Sequence, residues 1–342
     1  MEPRVAGFEW VAAVCVAALA MIASVGLVTA QSQTQRMSFV VATGPGGGTY
    51  FPVGQALADI ISHPPGVARC DVPGVCGPSG LIASARTSDG AFANVLDVNA
   101  HRVDAALVQS DVVADAVAGK GAFRKLGAQS HIRIIADLFP EEVHVVAARN
   151  AHIATIQDLK GKRVSIGAED SGTIETARAL LAAYRIPEWR IAESNDPPDV
   201  AAQRLLKGEI DAFVFVGGAP VVLVESLVAR GQAVLVPIDG AGRKRLLAQM
   251  PNFSPAVIAA DAYPGSGAVQ TVSERALWIV NDSEPADLVY GVTRALFNPA
   301  NRETLDDSHP SAKLIRLQTA ISTLPAPLHP GAARFYREAN IR

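Results

Sequence analysis

The chain is short of positive charge clusters, of cysteine and of every common catalytic signature, and each shortage excludes a class of function. Charged residues make up 18% of the sequence and the formal net charge is −3. Lys and Arg never run for more than a few residues, so the chain lacks the electrostatic footprint of a nucleic-acid binder. Three cysteines without neighbouring histidines make a poor zinc site, and the seven histidines are scattered without metal-ligand spacing. Gly-x-Ser-x-Gly, His-Glu-x-x-His and Cys-x-x-Cys are all missing. Gly44 and Gly46 open like a dinucleotide fingerprint, but Thr49 stands where the third glycine belongs. No Gly-Lys-Ser/Thr follows a glycine loop, which disfavours nucleotide phosphates. No cofactor, metal or catalytic residue is expected, and the chain reads as a non-enzyme. A Ser/His/Asp site assembled only in space, as in an exported α/β hydrolase, is the alternative.

What is present is apolar and long. The 342 residues are 49% hydrophobic, a globular composition large enough for two lobes. The first thirty residues stand apart. Arg4 precedes an apolar stretch from Trp10 to Val28, then small residues at Val28-Thr29-Ala30 and polar Gln31. This reads as a secretory signal, or, at roughly 19 residues, as an uncleaved membrane anchor. Either reading puts residues 37–342 outside the cytoplasm, in the periplasm, with a membrane tether in the second case. Export bears on Cys70 and Cys76, which bracket a Pro73-Gly74 turn. An oxidising compartment lets them bond; two reduced thiols at a strand end are the other reading.

Strand and helix patterns alternate along the chain, which predicts an α/β fold with mostly parallel strands. Apolar strands are expected at Ser38–Ala42, Ala105–Val108, Arg133–Asp137, Glu142–Ala148, Arg163–Gly167, Ala212–Val216 and Val269–Val280. Helices are expected at Ser110–Val117, Thr173–Tyr184, Pro198–Lys207, Pro220–Ala229, Glu284–Phe297 and Pro330–Glu338. Two βα series and a return segment describe two lobes: residues 37–140 and 273–342 form the first, and residues 141–272 the second. Crossing strands are placed near Leu138–Val146 and Val272–Val280.

Four strand-to-helix junctions carry the candidate chemistry: Thr43–Tyr50, Gln109–Asp111, Ser171–Thr173 and Gly217–Pro220. In open α/β sheets ligands bind beyond the carboxyl ends of the strands. Helix N-termini there offer unpaired N–H groups and partial positive charge, which suits an anion. Thr49, Ser110, Ser171 and Thr173 add hydroxyls, and Pro220 fits a first helical position. Simple capping or tight packing would also explain each junction taken alone. Near the crossing, Glu141, Glu142 and His144 either meet an amino group on a ligand or pair at the hinge. Arg149, Arg163 and Arg178 read as solvated.

At these junctions the sequence resembles the TAXI family, solute-binding subunits of one branch of tripartite ATP-independent periplasmic (TRAP) transporters. The resemblance rests on Thr43-Gly-Pro-Gly-Gly-Gly-Thr-Tyr-Phe-Pro52, Val103-Asp-Ala-Ala-Leu-Val-Gln-Ser-Asp111 and Asp158-Leu-Lys-Gly-Lys-Arg-Val-Ser-Ile-Gly167. Gly208 to Pro220, Tyr263-Pro-Gly265 and Pro327-Leu-His-Pro-Gly331 extend it. It implies a type II periplasmic-binding fold with a cleft between lobes. The implied ligand is a small organic anion, a carboxylate or an acidic amino acid such as glutamate, and the implied partner is an ion-gradient-driven TRAP permease. Carried over by motif, the pocket uses Gly48, Thr49, Tyr50, Gln109, Ser110, Ser171, Thr173, Gly218 and Ala219. Pro45 inside the glycine turn and the Cys70–Cys76 segment depart from the family pattern. The same fold also serves ATP-driven (ABC) transporters and membrane sensors.

Overall fold

The computed structural model describes residues 36–342; the signal or anchor expected at the N-terminus lies outside them. The first βα series runs β1 (Met37–Ala42), α1 (Tyr50–Ile61), β2 (Leu81–Arg86), α2 (Ala91–Asn99), β3 (Ala105–Gln109) and α3 (Ser110–Ala118). The long strand β4 (Ile132–Ala148) then leads into β5 (Arg163–Ser165), α4 (Gly172–Ala183), β6 (Ala192–Ser194), α5 (Pro198–Leu206), β7 (Ala212–Gly217) and α6 (Val222–Ala229). β8 (Ala233–Leu235), α7 (Gly240–Gln249) and β9 (Ser254–Ile258) precede the second long strand, β10 (Val269–Asn281). α8 (Ala286–Leu296), α9 (Arg302–Ser308) and α10 (Pro330–Glu338) close the chain.

The strands form one mixed sheet in the order β2-β1-β3-β10-β4-β7-β5-β6, with β8 on β4 and β9 on β10. The βα units pair in parallel, as their crossover helices require. The two long strands run antiparallel to each other and to β3 and β7. Both lie in the middle of the sheet, β10 between β3 and β4 and β4 between β10 and β7.

The sheet is mixed and not mostly parallel as expected, because β4 and β10 run antiparallel to every strand they pair with, and two further details differ from the sequence reading. The runs Arg133–Asp137 and Glu142–Ala148 are one continuous strand despite Pro140 between them. A strand tolerates proline where its missing N–H has no partner to lose. Here β7 begins to pair with β4 only at Glu142, so Pro140 precedes that ladder. Pro220 is also not the first residue of α6: the helix starts at Val222, and Ala219-Pro220 is a cis peptide before it.

The buried apolar residues divide along the same lines as the chain. Along β1, β3 and β10, successive side chains alternate between two clusters on opposite faces: Phe39, Leu107 and Trp278 on one, Ala42, Val108 and Ile279 on the other. Burial on both faces is why these strands read as unbroken apolar runs. A separate cluster spans Val143 to Val272 and holds Val164, Leu180, Phe213 and Tyr263. Cys70 and Cys76 lie at bonding distance, with Cα atoms 5.2 Å apart, in a small cluster with Val75.

Candidate ligand-binding site

A cavity of about 620 Å³ opens beyond the carboxyl ends of β1, β2, β5 and β6, the position that open α/β sheets reserve for ligands. Four helices begin at its wall. The turn Gly44–Thr49 leads into α1, Thr87–Gly90 into α2, Ser171 into α4, and Asp196-Pro197 into α5. None of the four N-caps is satisfied by its own side chain. Their first N–H groups are therefore free of side-chain caps, although in α2 the Ala93 N–H donates to the Asp170 carbonyl at 3.3 Å and α5 opens on Pro198, which has no N–H; the helix dipoles add positive potential. Glycine is needed where the backbone itself forms the wall. Gly90 has φ +126° with the Ser171 Cα 3.2 Å from where a Cβ would stand, and a Cβ on Gly48 would touch the Phe215 ring at 3.3 Å.

Most of the expected residues meet here, and some do not. Gly48, Thr49, Tyr50, Gln109, Ser171 and Thr173 all line the cavity. Ser110 does not: its hydroxyl donates to Glu274 Oε2 at 3.3 Å and accepts the Arg275 N–H. Gly218 and Ala219 also lie behind the wall. The Thr49 hydroxyl donates to the Gly218 carbonyl at 3.0 Å, and the Ala219 N–H donates to Glu142 Oε2 at 2.9 Å. The cavity meets β7 instead through Val214, Phe215 and Val216. Sequence reading passed over Thr87–Ala91 and Asp196–Ala201. Leu-Ile-Ala-Ser-Ala-Arg mixes small and polar residues too freely to announce β2, and β6 is only three residues long. The signals present were Ser88-Asp89-Gly90 and Asn195-Asp196-Pro197-Pro198, both turn sequences opening a helix.

Glu141 is the one buried acid that faces the cavity. It is 2% exposed, on β4 where the two halves of the sheet meet. Its Oε2 accepts the Tyr50 hydroxyl proton at 2.6 Å. Burial pushes its carboxyl up to about 8, the Tyr50 hydrogen bond pulls it down, and Glu142 and Asp111 raise it further. Behind it lies a second buried pair. Glu274 accepts from Gln109, Ser110 and the Asp111 N–H, and burial beside the Asp111 carboxyl holds it well above the usual range. Burial lifts Asp111 to about 6.

His144 does not line the cavity and is packed inside the protein. Tyr263 Oη accepts the Val221 N–H at 2.9 Å, so its own proton goes to His144 Nε2 at 2.7 Å. That leaves Nδ1 as the donor to the Glu142 carbonyl at 2.9 Å. Burial lowers this histidine to about 4, so the neutral ring is a fixed packing element. Ser88 and Ser171 donate to the carbonyls of Thr43 and Ala168, so neither is paired with a base as a nucleophile would be. Arg163 pairs with Asp211 on the outer surface.

Solved structures similar to this chain include the alkanesulfonate-binding protein SsuA from Xanthomonas axonopodis pv. citri bound to MOPS. It is 12% identical, with 89% of this chain and 84% of that one covered at a TM-score of 0.49. Another is a binding protein component of an ABC phosphonate transporter from Pseudomonas aeruginosa, 10% identical, covering 80% and 79% at 0.48. No residue role is transferred at this level of likeness. The TAXI resemblance is corrected by a family match: residues 41–339 match the NMT1-like family. Several of the motifs behind that resemblance, Thr43–Pro52, Val103–Asp111 and Gly208–Pro220, are strand-to-helix junctions, whose local sequence follows from the turn they build and not from the transporter they serve. With the TAXI assignment goes its ion-gradient-driven permease. The expectation of a binding protein stands, in the form first set down as the alternative. The match runs from the end of β1 through the last helix, and the protein belongs to the NMT1-like family.

Proposed function

We propose that this protein is an extracytoplasmic solute receptor that holds a small solute with an anionic group and delivers it to the membrane component of an ATP-driven transporter. One observation carries the reading: four uncapped helix N-termini converge on a single cavity of about 620 Å³, a volume suited to a small organic ligand. Its role is capture and release, not turnover.

Two lobes, residues 37–140 with 273–342 and residues 141–272, close on the solute. Support comes from the buried clusters, which change over at these boundaries, and from the contacts that span them. Thr49 reaches the Gly218 carbonyl, and Ser311 Oγ reaches the Ala219 carbonyl at 3.3 Å. A solute that satisfies N-termini on both sides favours the closed arrangement by differential contact. The apolar N-terminus supports export, and an oxidising compartment supports a bonded Cys70–Cys76. Among the described residues no helix is long and apolar enough to cross a membrane.

The test is mass spectrometry of small molecules released from protein purified without refolding, followed by thermal shift with what is found. A retained organic acid that raises the melting midpoint is the expected result. Turnover on ester or amide panels, abolished by one Ser→Ala change, would replace the reading with a hydrolase.

A further inference from the structure

Among the described residues, the cavity proposed to take an anionic group at its helix ends has no basic side chain in its lining. Its charged lining residues are Asp89, Glu141, Asp196 and Asp199, and neither Lys nor Arg is among the residues that form it. Asp196 is already held by Arg204 from outside, at 2.6 and 2.8 Å. Glu141 is different. It is buried, it sits on the strand joining the two halves, and only its Oε2 is engaged, by Tyr50. Oε1 accepts no hydrogen bond among the described residues, and it is not one of the enclosed atoms left without a partner. It is therefore open to the cavity. A carboxyl oxygen that faces the cavity while the rest of its group is buried is available to a donor, and a cation is its strongest match.

We propose, resting on the solute-receptor reading above, that the solute also carries a cationic nitrogen, and that this nitrogen docks on Glu141 Oε1 while the helix N-termini hold the anionic end. Tyr50 orients the carboxylate by holding the other oxygen, and Asp89, which forms no ion pair among the described residues, adds negative potential at the mouth. Without solute the buried carboxyl keeps its proton, because desolvation outweighs the Tyr50 hydrogen bond. The incoming ammonium or guanidinium replaces that proton, which leaves for solvent. The positive charge at Glu141 is thereby exchanged one for one, and the ligand's anionic end adds one negative charge at the helix N-termini.

The test uses the purified full-length protein, or its processed form, and matched acids with and without an amine: L-aspartate with succinate, and L-glutamate with glutarate, beside any molecule the protein carries from the cell. Calorimetry at pH 7 in buffers of different ionisation enthalpy reads affinity and proton release together. The expected result is an amine-bearing ligand, about tenfold or more weaker once the amine is removed, with close to one proton released. Glu141→Gln should lose at least as much affinity while its unliganded melting point holds or rises. A carried ligand without a cationic nitrogen, or full affinity in Glu141→Gln, would overturn the inference and leave the receptor reading standing. The second result would identify Glu141 as a protonated donor to an oxygen instead. Protein that neither carries nor binds any small molecule overturns the receptor reading and this one with it.

Discussion

Single residues decide what this cavity senses, and Glu141 is the most consequential. A carboxyl raised from its ordinary value to about 8 contributes stability that is fully present below its unfolded value and is lost as pH rises through about 8. The window is therefore about pH 4.5 to 8, and the change is on the order of a few kcal/mol. Asp111 and Glu274, both raised by burial, push the same way. Arg275, engaged by Asp137, is the neighbouring cation that lowers Glu141. The unliganded protein should melt highest near pH 4.5 and lose stability as pH rises from there to about 8; Glu141→Gln should flatten that slope in calorimetry. A slope unchanged by the substitution would mean that Glu141 stays ionised. Thr49→Ala removes a buried donor to the Gly218 carbonyl and should cost about 1 kcal/mol and weaken ligand binding. Ser110→Ala should lower stability instead, because its hydroxyl serves Glu274.

At the scale of elements, the start of α4 is packed against the end of β3. A Cβ on Gly172 would run into the Gln109 carboxamide and stand 2.9 Å from a Val112 methyl. Gly172→Ala is expected to hold α4 away from β3, costing about 1–3 kcal/mol and widening the molecule in small-angle scattering. An unchanged radius with full ligand affinity would show that the helix shifts freely. The buried Tyr263 ties β4 to the start of the segment before α6. Tyr263→Phe strips the partner from both the Val221 N–H and His144 Nε2, and urea unfolding should register a loss of about 1–3 kcal/mol. The alternation of strand and helix that predicts these elements was plain in the sequence wherever strands were apolar on both faces. It failed at β2, β6 and β9. Those strands are short or half-polar, and their neighbours in the sheet, not their own residues, make them strands.

For the whole molecule, solute capture should draw the two halves together, read as a smaller radius of gyration and slower hydrogen exchange in β4 and β10. A bound cognate solute that changes neither would count against closure. Much of this was legible in the chain itself. Local propensity and apolar periodicity determined the α/β class, the order of most elements and the helix-opening turns that bear Gly48, Thr49, Tyr50, Ser171 and Thr173, because each depends on neighbours within a few residues. Tertiary structure alone decided which junctions share a cavity. It turned Ser110 inward to Glu274, set Gly218 and Ala219 behind the wall, gave His144 to Tyr263, and brought in Asp89 and Asp196 from the turns after β2 and β6, strands the periodicity did not announce. The physical reason is distance along the chain. Glu141 meets Tyr50 across 91 residues and Glu274 meets Ser110 across 164, and burial, which sets the protonation of both acids, exists only once those segments have packed.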